Sequence, residues 1–299
     1  MDGTLKPVDS ETVSGRTLEA ARALRATGID FGPASGRPRH DLVRFFRGDE
    51  SCVMTGVICG GKQVYLDGDL VFSRPMSHEA LVRLCDVIAD EPDSVVNLYD
   101  ETGCASGETP EWLVVPATHR ELRAIQTGYV GLCADAAALE VPDRDFYVVG
   151  LMNCGTPDQF SSLRDRVESS CPDVELVSPL PGWYDVNPRG WNKANGFECL
   201  IESMGIAPDE VVVMGDSEND LTLMNLVPNS VCVANGTASA LAASRYHIPS
   251  AEEDGPAQLM EALAETNGIL ERAFSRMPFV SARASMSWAG PSSLALGMW

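Results

Sequence analysis

Apolar and polar residues are distributed along this chain in two textures. From Ser10 to Thr27 the apolar positions Val13, Leu18, Ala21 and Leu24 recur at roughly helical spacing, and Gly28 follows as a typical residue just past a helix end. A short apolar run from Ile29 to Ala34 predicts a strand, and Ser35-Gly36-Arg37-Pro38 predicts a tight turn into another helical stretch. The same order returns from Glu210 to Met224, where Val211 to Met214 read as a buried strand and Asp216 to Asp220 as the opening of a helix. Repeated strand-then-helix units predict an α/β fold whose parallel sheet carries its site at the carboxyl ends of the strands.

The second texture runs from Gly60 to Leu180. Val64-Tyr65-Leu66 and Leu70-Val71-Phe72 around Asp67-Gly68 predict a hairpin, Ser77 to Ala89 and Pro157 to Ser169 predict helices, and Glu111 to Val115 and Phe146 to Met152 predict strands. This is the pattern of an α+β insert. Pro179-Leu180-Pro181-Gly182 is expected to return the chain to the core, with Trp183 to Asn187 opening its second part. The expected division is core over residues 1–59 and 183–268, insert over 60–182, and an extension over 269–299. Past Asn267 the period fades, so Phe279 to Trp299 is expected to be a loosely packed extension or a partner-binding segment, disorder being the simpler expectation.

Composition narrows the function classes. A chain of 299 residues with 44% hydrophobic content has room for two cores. Its 22 basic and 43 acidic residues give a formal charge of −21, which repels nucleic acid and anionic membranes. The expected partner is a small molecule, and an anionic one requires a cation to offset the field. No run of about 18 apolar residues offers a membrane span, and no basic stretch followed by an apolar one marks a leader, so a cytoplasmic location is expected. Nine cysteines without a Cys-x-x-Cys pair favour reduced, buried thiols, and His40, His78, His119 and His247 are too dispersed for a metal cluster.

Four places carry candidate chemistry. Asp2 precedes Gly3 and Thr4, where a turn could bring its carboxylate over a strand end; a solvated residue is the plainer alternative. Ser35 closes an apolar run ahead of Gly36 and Arg37, so its hydroxyl and the following amides could face an anion, or simply cap a helix. Lys193 stands at the start of a helix that continues to Met204, where its charge opposes the helix dipole unless an anion is bound; a surface lysine is the alternative. Gly215-Asp216-Ser217-Glu218-Asn219-Asp220 places three carboxylates directly after an apolar strand. Acidic helix caps look alike, but mutual repulsion at a sheet edge is costly unless a hard cation binds.

Taken in order, these segments resemble the four motifs of the haloacid dehalogenase-like (HAD) phosphatases, over about residues 2 to 260. Asp2-Gly3-Thr4 resembles the tail of Asp-x-Asp-Gly-Thr, Ala34-Ser35-Gly36-Arg37 the second motif, Lys193 the third and Gly215 to Asp220 the fourth. The large insert between the second and third motifs, Tyr184-Asp185-Val186-Asn187-Pro188, and Glu253-Asp254-Gly255 are similar to the Cof-type subgroup. The resemblance implies a three-layer, Rossmann-like α/β core with a parallel sheet and an inserted α+β cap. It implies catalytic roles for Asp2, as acid and base, and for Lys193. Ser35, Gly36 and Lys193 are then expected to bind phosphate, and Asp2, Asp216, Asn219 and Asp220 to form a Mg2+ site. In that site Asp216 and the Asp2 backbone carbonyl touch the metal, while Asn219 and Asp220 organise its surroundings.

Three departures stand out. Met1 fills the x position, so the nucleophilic Asp of the motif would precede the chain, through either a start placed inside the motif or a scaffold that has lost its chemistry. Gly60-Gly61 stands where the subgroup has Asn-Gly, and Thr237 where it has Asn. The implied activity is a magnesium-dependent phosphatase of small organic monophosphates such as sugar phosphates. The alternatives are a pseudophosphatase binding a phosphorylated ligand or protein, and a phosphomutase of related fold.

Overall fold

A computed structural model of the chain describes residues 1–100, 111–123, 134–180, 182–277 and 297–298. They form two compact units, Met1–Ser73 with Asn192–Trp299, and Arg74–Trp191.

The first unit is built on a five-stranded sheet in the order Asp30–Phe31, Gly297–Met298, Val211–Gly215, Asn229–Val233 and Tyr246–Ile248, with every neighbouring pair parallel. A parallel sheet is covered on both faces, which is why Val211, Val212 and Val213 are all apolar and all buried. Val211 and Val213 pack against Phe197, Leu200 and Ile201 of the helix Lys193–Met204. Val212, pointing the opposite way by the alternation of a strand, serves the other face. The helices Gly15–Ala26 and Gly255–Glu265 pack on each other. Ser14 ties them at one end: its hydroxyl accepts from the Thr17 amide at 3.0 Å and donates to Asp254 Oδ1 at 2.7 Å. This is the expected Rossmann-like α/β core.

Boundaries moved for local reasons. The first helix starts at Gly15 rather than Ser10 because Ser14 caps it. The run Ile29 to Ala34 yields only the strand Asp30–Phe31: past it the Pro33 carbonyl takes the Val57 amide, and the Ser35 amide donates to the Val57 carbonyl, both at 2.8 Å. The chain thereby leaves the parallel sheet for Gly56–Ile58. Asp216 to Asp220 open with a 3-10 turn, Glu218–Asp220, before the helix Leu221–Leu226. The hairpin Gln63–Leu66 and Asp69–Ser73 turns at Asp67 and Gly68, both at positive φ, as predicted. It pairs with Gly56–Ile58 and so belongs to the first unit, which puts the boundary after Ser73 rather than after residue 59.

The second unit carries a six-stranded sheet in the order Ala134–Ala137, Glu111–Val115, Ser94–Asp100, Val149–Asn153, Trp183–Pro188 and Val174–Leu180. Its first pair is parallel and the rest antiparallel. The helices His78–Ala89 and Pro157–Ser170 cover one face through Leu81, Leu84, Ile88, Leu163 and Val167. Trp183–Pro188, expected to reopen the core, lies inside this sheet because Tyr184 and Val186 complete the same apolar cluster. The second boundary accordingly falls after Trp191 rather than after residue 182.

The extension expected over 269–299 is ordered at its start. Leu270–Arg276 form a helix with Leu270, Ala273 and Phe274 buried, and Phe274 stacks on Tyr246 with ring centroids 4.0 Å apart. Gly297–Met298 lie in the sheet, while residues 278–296 and 299 of that expectation fall outside the described residues. The described cysteines are free, and burial pushes the Cys85 and Cys232 thiols up to about 12, so they stay protonated. Among the described residues no helix is long and apolar enough to cross a membrane.

One contact fixes the start of the helix that carries Lys193. A Cβ on Gly61 would stand 2.3 Å from the Asn192 carbonyl oxygen, and one on Gly196 would stand 2.6 Å from the Gly61 Cα. Gly61 also has φ +93, whereas Gly28 has a similar φ of +88 in open space. Gly28→Ala is therefore expected to cost about 1–2 kcal/mol for its backbone alone, and Gly61→Ala roughly 1–3 kcal/mol more for overpacking. Urea unfolding of the two variants measures the difference; equal losses would mean that the close approach contributes nothing.

Candidate active site

The strand Val211–Gly215 delivers Asp216, and the turn Met1–Lys6 lies directly against it. That turn is closed by the Gly3 amide on the Lys6 carbonyl and the Leu5 amide on the Met1 carbonyl, both 2.9 Å. Gly3 has φ +78, which favours glycine, and a Cβ there would stand 2.7 Å from Asp216 Oδ2, so a side chain would be strained and would push the Asp216 carboxylate aside. The next residue, Thr4, donates its hydroxyl to Asp216 Oδ1. Asn235 braces the turn from a third loop, giving its amide to the Gly3 carbonyl at 2.6 Å and accepting the Ala251 amide at 2.9 Å. The Thr237 amide donates to the Asp216 carbonyl at 2.7 Å.

Behind Asp216 lies a buried ion pair. Lys193 Nζ donates to Asp220 Oδ1 at 2.7 Å, and the Asp216 amide donates to Asp220 Oδ2 at 3.1 Å, so both oxygens of Asp220 are engaged. Lys193 and Asp220 are each 8% exposed, which makes mutual neutralisation a condition of folding rather than an ornament. Burial pushes the Asp220 carboxyl up, but Lys193, the amino group of Met1 and the Asp216 amide together leave it below the ordinary carboxylate value. Asp216 goes the other way: burial pushes its carboxyl up, with Asp220 adding to this and the Thr4 hydroxyl and Lys193 opposing it.

The second cluster centres on Asp2. Arg37 reaches Asp2 Oδ2 through Nε at 3.0 Å and Nη2 at 2.9 Å, and Lys6 Nζ lies 2.6 Å from Asp2 Oδ1. Burial pushes the Asp2 carboxyl up, yet Arg37 and Lys6 together hold it below its ordinary value. Ser35 is buried and its hydroxyl accepts the Arg37 amide at 3.2 Å, which links it to Asp2 through Arg37. Gly36 has no neighbour within 4 Å of where a Cβ would be. Asn219 is placed beside Ser217, accepting its hydroxyl at 3.1 Å.

The structure thus brings Asp2, Asp216, Asp220 and Lys193 to one turn, with Ser35 attached through Arg37. The sequence patterns assigned no role to Lys6, Thr4, Arg37 or Asn235. Thr4 and Arg37 stood within the motifs, while Lys6 beside Pro7 looks like any solvated lysine until its burial is known. Among the described residues no group of three or more His, Cys, Asp and Glu side chains is arranged to hold a metal. Magnesium does not need one, since it takes one or two carboxylates and keeps several waters. Asp216 fits that demand: it is a half-buried carboxylate that burial disfavours and a cation would stabilise, whereas Asp220 is committed to Lys193.

The ion pair gives a direct test. Lys193→Met leaves the Asp220 charge buried without its partner and is expected to cost about 3–5 kcal/mol, with much of the loss recovered in Lys193→Met/Asp220→Asn. Since the Asp2 and Asp220 pKa values are lowered by folding, their stabilisation is present above the ordinary carboxylate range and lost as pH falls through it. Thermal unfolding from pH 7 to pH 3 follows both effects; an unaltered midpoint in Lys193→Met would contradict the pairing.

With this geometry in place, the comparisons are specific. The sequence profile of the haloacid dehalogenase-like hydrolases matches residues 1–260. The chloroplastic endoribonuclease YBEY of Arabidopsis thaliana is 33% identical over 275 residues, which cover 86% of this chain and 44% of that protein, so the chain spans less than half of that relative. The 5-amino-6-(5-phospho-D-ribitylamino)uracil phosphatase of Escherichia coli is 22% identical, covering 85% of this chain and 90% of that protein. Among solved structures, a HAD subclass IIB sugar phosphatase superposes with a TM-score of 0.68 at 18% identity, over 90% of this chain and 97% of that one, a likeness of fold.

Proposed function

The chain belongs to the haloacid dehalogenase-like hydrolases, and from that premise we propose that it is a magnesium-dependent phosphatase of small organic monophosphates such as sugar phosphates, working through an aspartyl-phosphate. The observation that carries this is the contact of the Asp2-Gly3-Thr4 turn with Asp216, backed by the Lys193–Asp220 pair. Phosphoryl transfer needs an in-line nucleophile, a proton for the leaving oxygen and positive charge around the phosphoryl oxygens.

In this reading Asp2, which Arg37 and Lys6 hold ionised, first takes up a proton from solvent as the substrate phosphate draws Arg37 away, gives it to the leaving oxygen and then takes one from the attacking water. Lys193, Ser35 and the Gly36 amide receive phosphate oxygens at the start of the helix Lys193–Met204 and in the loop after Ala34. Magnesium, when bound by Asp216 and the Asp2 carbonyl, offsets the charge of the substrate on a chain of net charge −21. Asp220 holds Lys193 and the Asp216 amide in place, and Asn219 organises the loop. The attacking carboxylate belongs two residues before Asp2, a position that the 299 residues do not include.

Release of inorganic phosphate from a panel of sugar phosphates tests the proposal. Release by the 299-residue protein, with and without magnesium, sets the baseline. A form with an apolar strand and an Asp immediately ahead of Met1 is expected to gain magnesium-dependent release by several orders of magnitude, and to lose it on changing only that Asp to Asn. Release by the 299-residue protein that survives Asp216→Ala would remove this site from the chemistry; binding without release in both forms would leave the pseudophosphatase.

A further inference from the structure

Lys6 is among the largest fully buried side chains of the described structure, with 2% of its surface exposed. A buried ammonium needs three acceptors and an opposite charge. Lys6 has them: Asp2 Oδ1 at 2.6 Å, the Pro7 carbonyl at 3.3 Å and the Ser10 carbonyl, with the Phe45 ring 5.1 Å from Nζ. An apolar side chain of the same volume would fill this place at no desolvation cost, so packing alone does not explain a lysine here. What the ammonium does that a methionine would not is satisfy the Pro7 and Ser10 carbonyls and hold one oxygen of Asp2.

The two oxygens of Asp2 are held unequally. Oδ1 is on Lys6, which burial and its carbonyl partners keep in place, while Oδ2 is on Arg37, whose side chain is 23% exposed and also lies 3.8 Å from Asp41. We propose that Lys6 is a positioning residue for Asp2: it pins Oδ1 so that Oδ2 is the oxygen presented to the leaving group, and it stays on Asp2 when a substrate phosphate competes for Arg37. This inference rests on the phosphatase reading and adds to it a residue that touches neither phosphate nor metal.

The test uses leaving groups that differ in their need for a proton. A sugar phosphate leaves as an alkoxide and depends on Asp2, whereas p-nitrophenyl phosphate leaves as a stable anion. In the phosphate-releasing form with Asp ahead of Met1, Lys6→Met is expected to lower first-turnover release from the sugar phosphate by roughly 10- to 100-fold, with KM and the p-nitrophenolate burst changed less than about 3-fold. In an Asp2→Asn background the Lys6→Met effect is expected to vanish, because both act through one carboxylate. Equal losses for both substrates, or a full Lys6→Met effect without Asp2, would overturn the proposal. Lys6→Gln, an uncharged donor of similar length, replaces Lys6→Met if that variant does not fold. A wild-type form that releases no phosphate counts against the phosphatase reading alone. Lys6 is then judged by crystal structures of the 299-residue protein: the Asp2 carboxylate is expected in one orientation in the wild type and in several in Lys6→Met, and an unchanged single orientation would contradict it.

Discussion

The contact between Gly3 and the Asp216 carboxylate is the constraint on which the rest of the site depends. A side chain at this φ of +78 would be strained, and its Cβ, 2.7 Å from Asp216 Oδ2, would displace the carboxylate. With glycine in place, Thr4 reaches Asp216 and Asp2 is directed to Arg37 and Lys6. The sheet supplies the other half, since Val211–Gly215 is buried on both faces and has little freedom to move its last residue.

Charge is managed in pairs around that contact. Lys193 is matched to Asp220, and Lys6 and Arg37 to Asp2, leaving Asp216 as the carboxylate whose charge burial disfavours most plainly. A cation at Asp216 and an anion between Lys193 and Arg37 would complete the balance in the way phosphoryl transfer requires. On a chain of net charge −21, a cation at the proposed site would offset the field that an anionic substrate meets.

Much of this was legible in the sequence where local pattern and chemistry agree. The apolar strand before Asp216, the helix starting at Lys193 and the Asp67-Gly68 hairpin each carry a short-range signal, and each formed. The domain boundaries were less legible, because strand pairing is decided by partners far along the chain: nothing local in Gln63–Leu66 or Trp183–Pro188 says which sheet they join. Lys6 and Asn235 were missed for the same reason, as their roles come from burial and from bonds to Asp2 and Gly3. Gly61 was visible only as a departure from a motif, and its function is to let the Asn192 carbonyl approach.

The central claim is that Asp216, held by the Gly3-Thr4 turn, is the cation site of a phosphoryl-transfer centre. Calorimetric titration of magnesium into the 299-residue protein and into Asp216→Ala addresses it without reference to turnover. The account predicts weak binding to the wild type, because few anionic ligands contribute, and none to Asp216→Ala. Unchanged magnesium affinity in Asp216→Ala would contradict it.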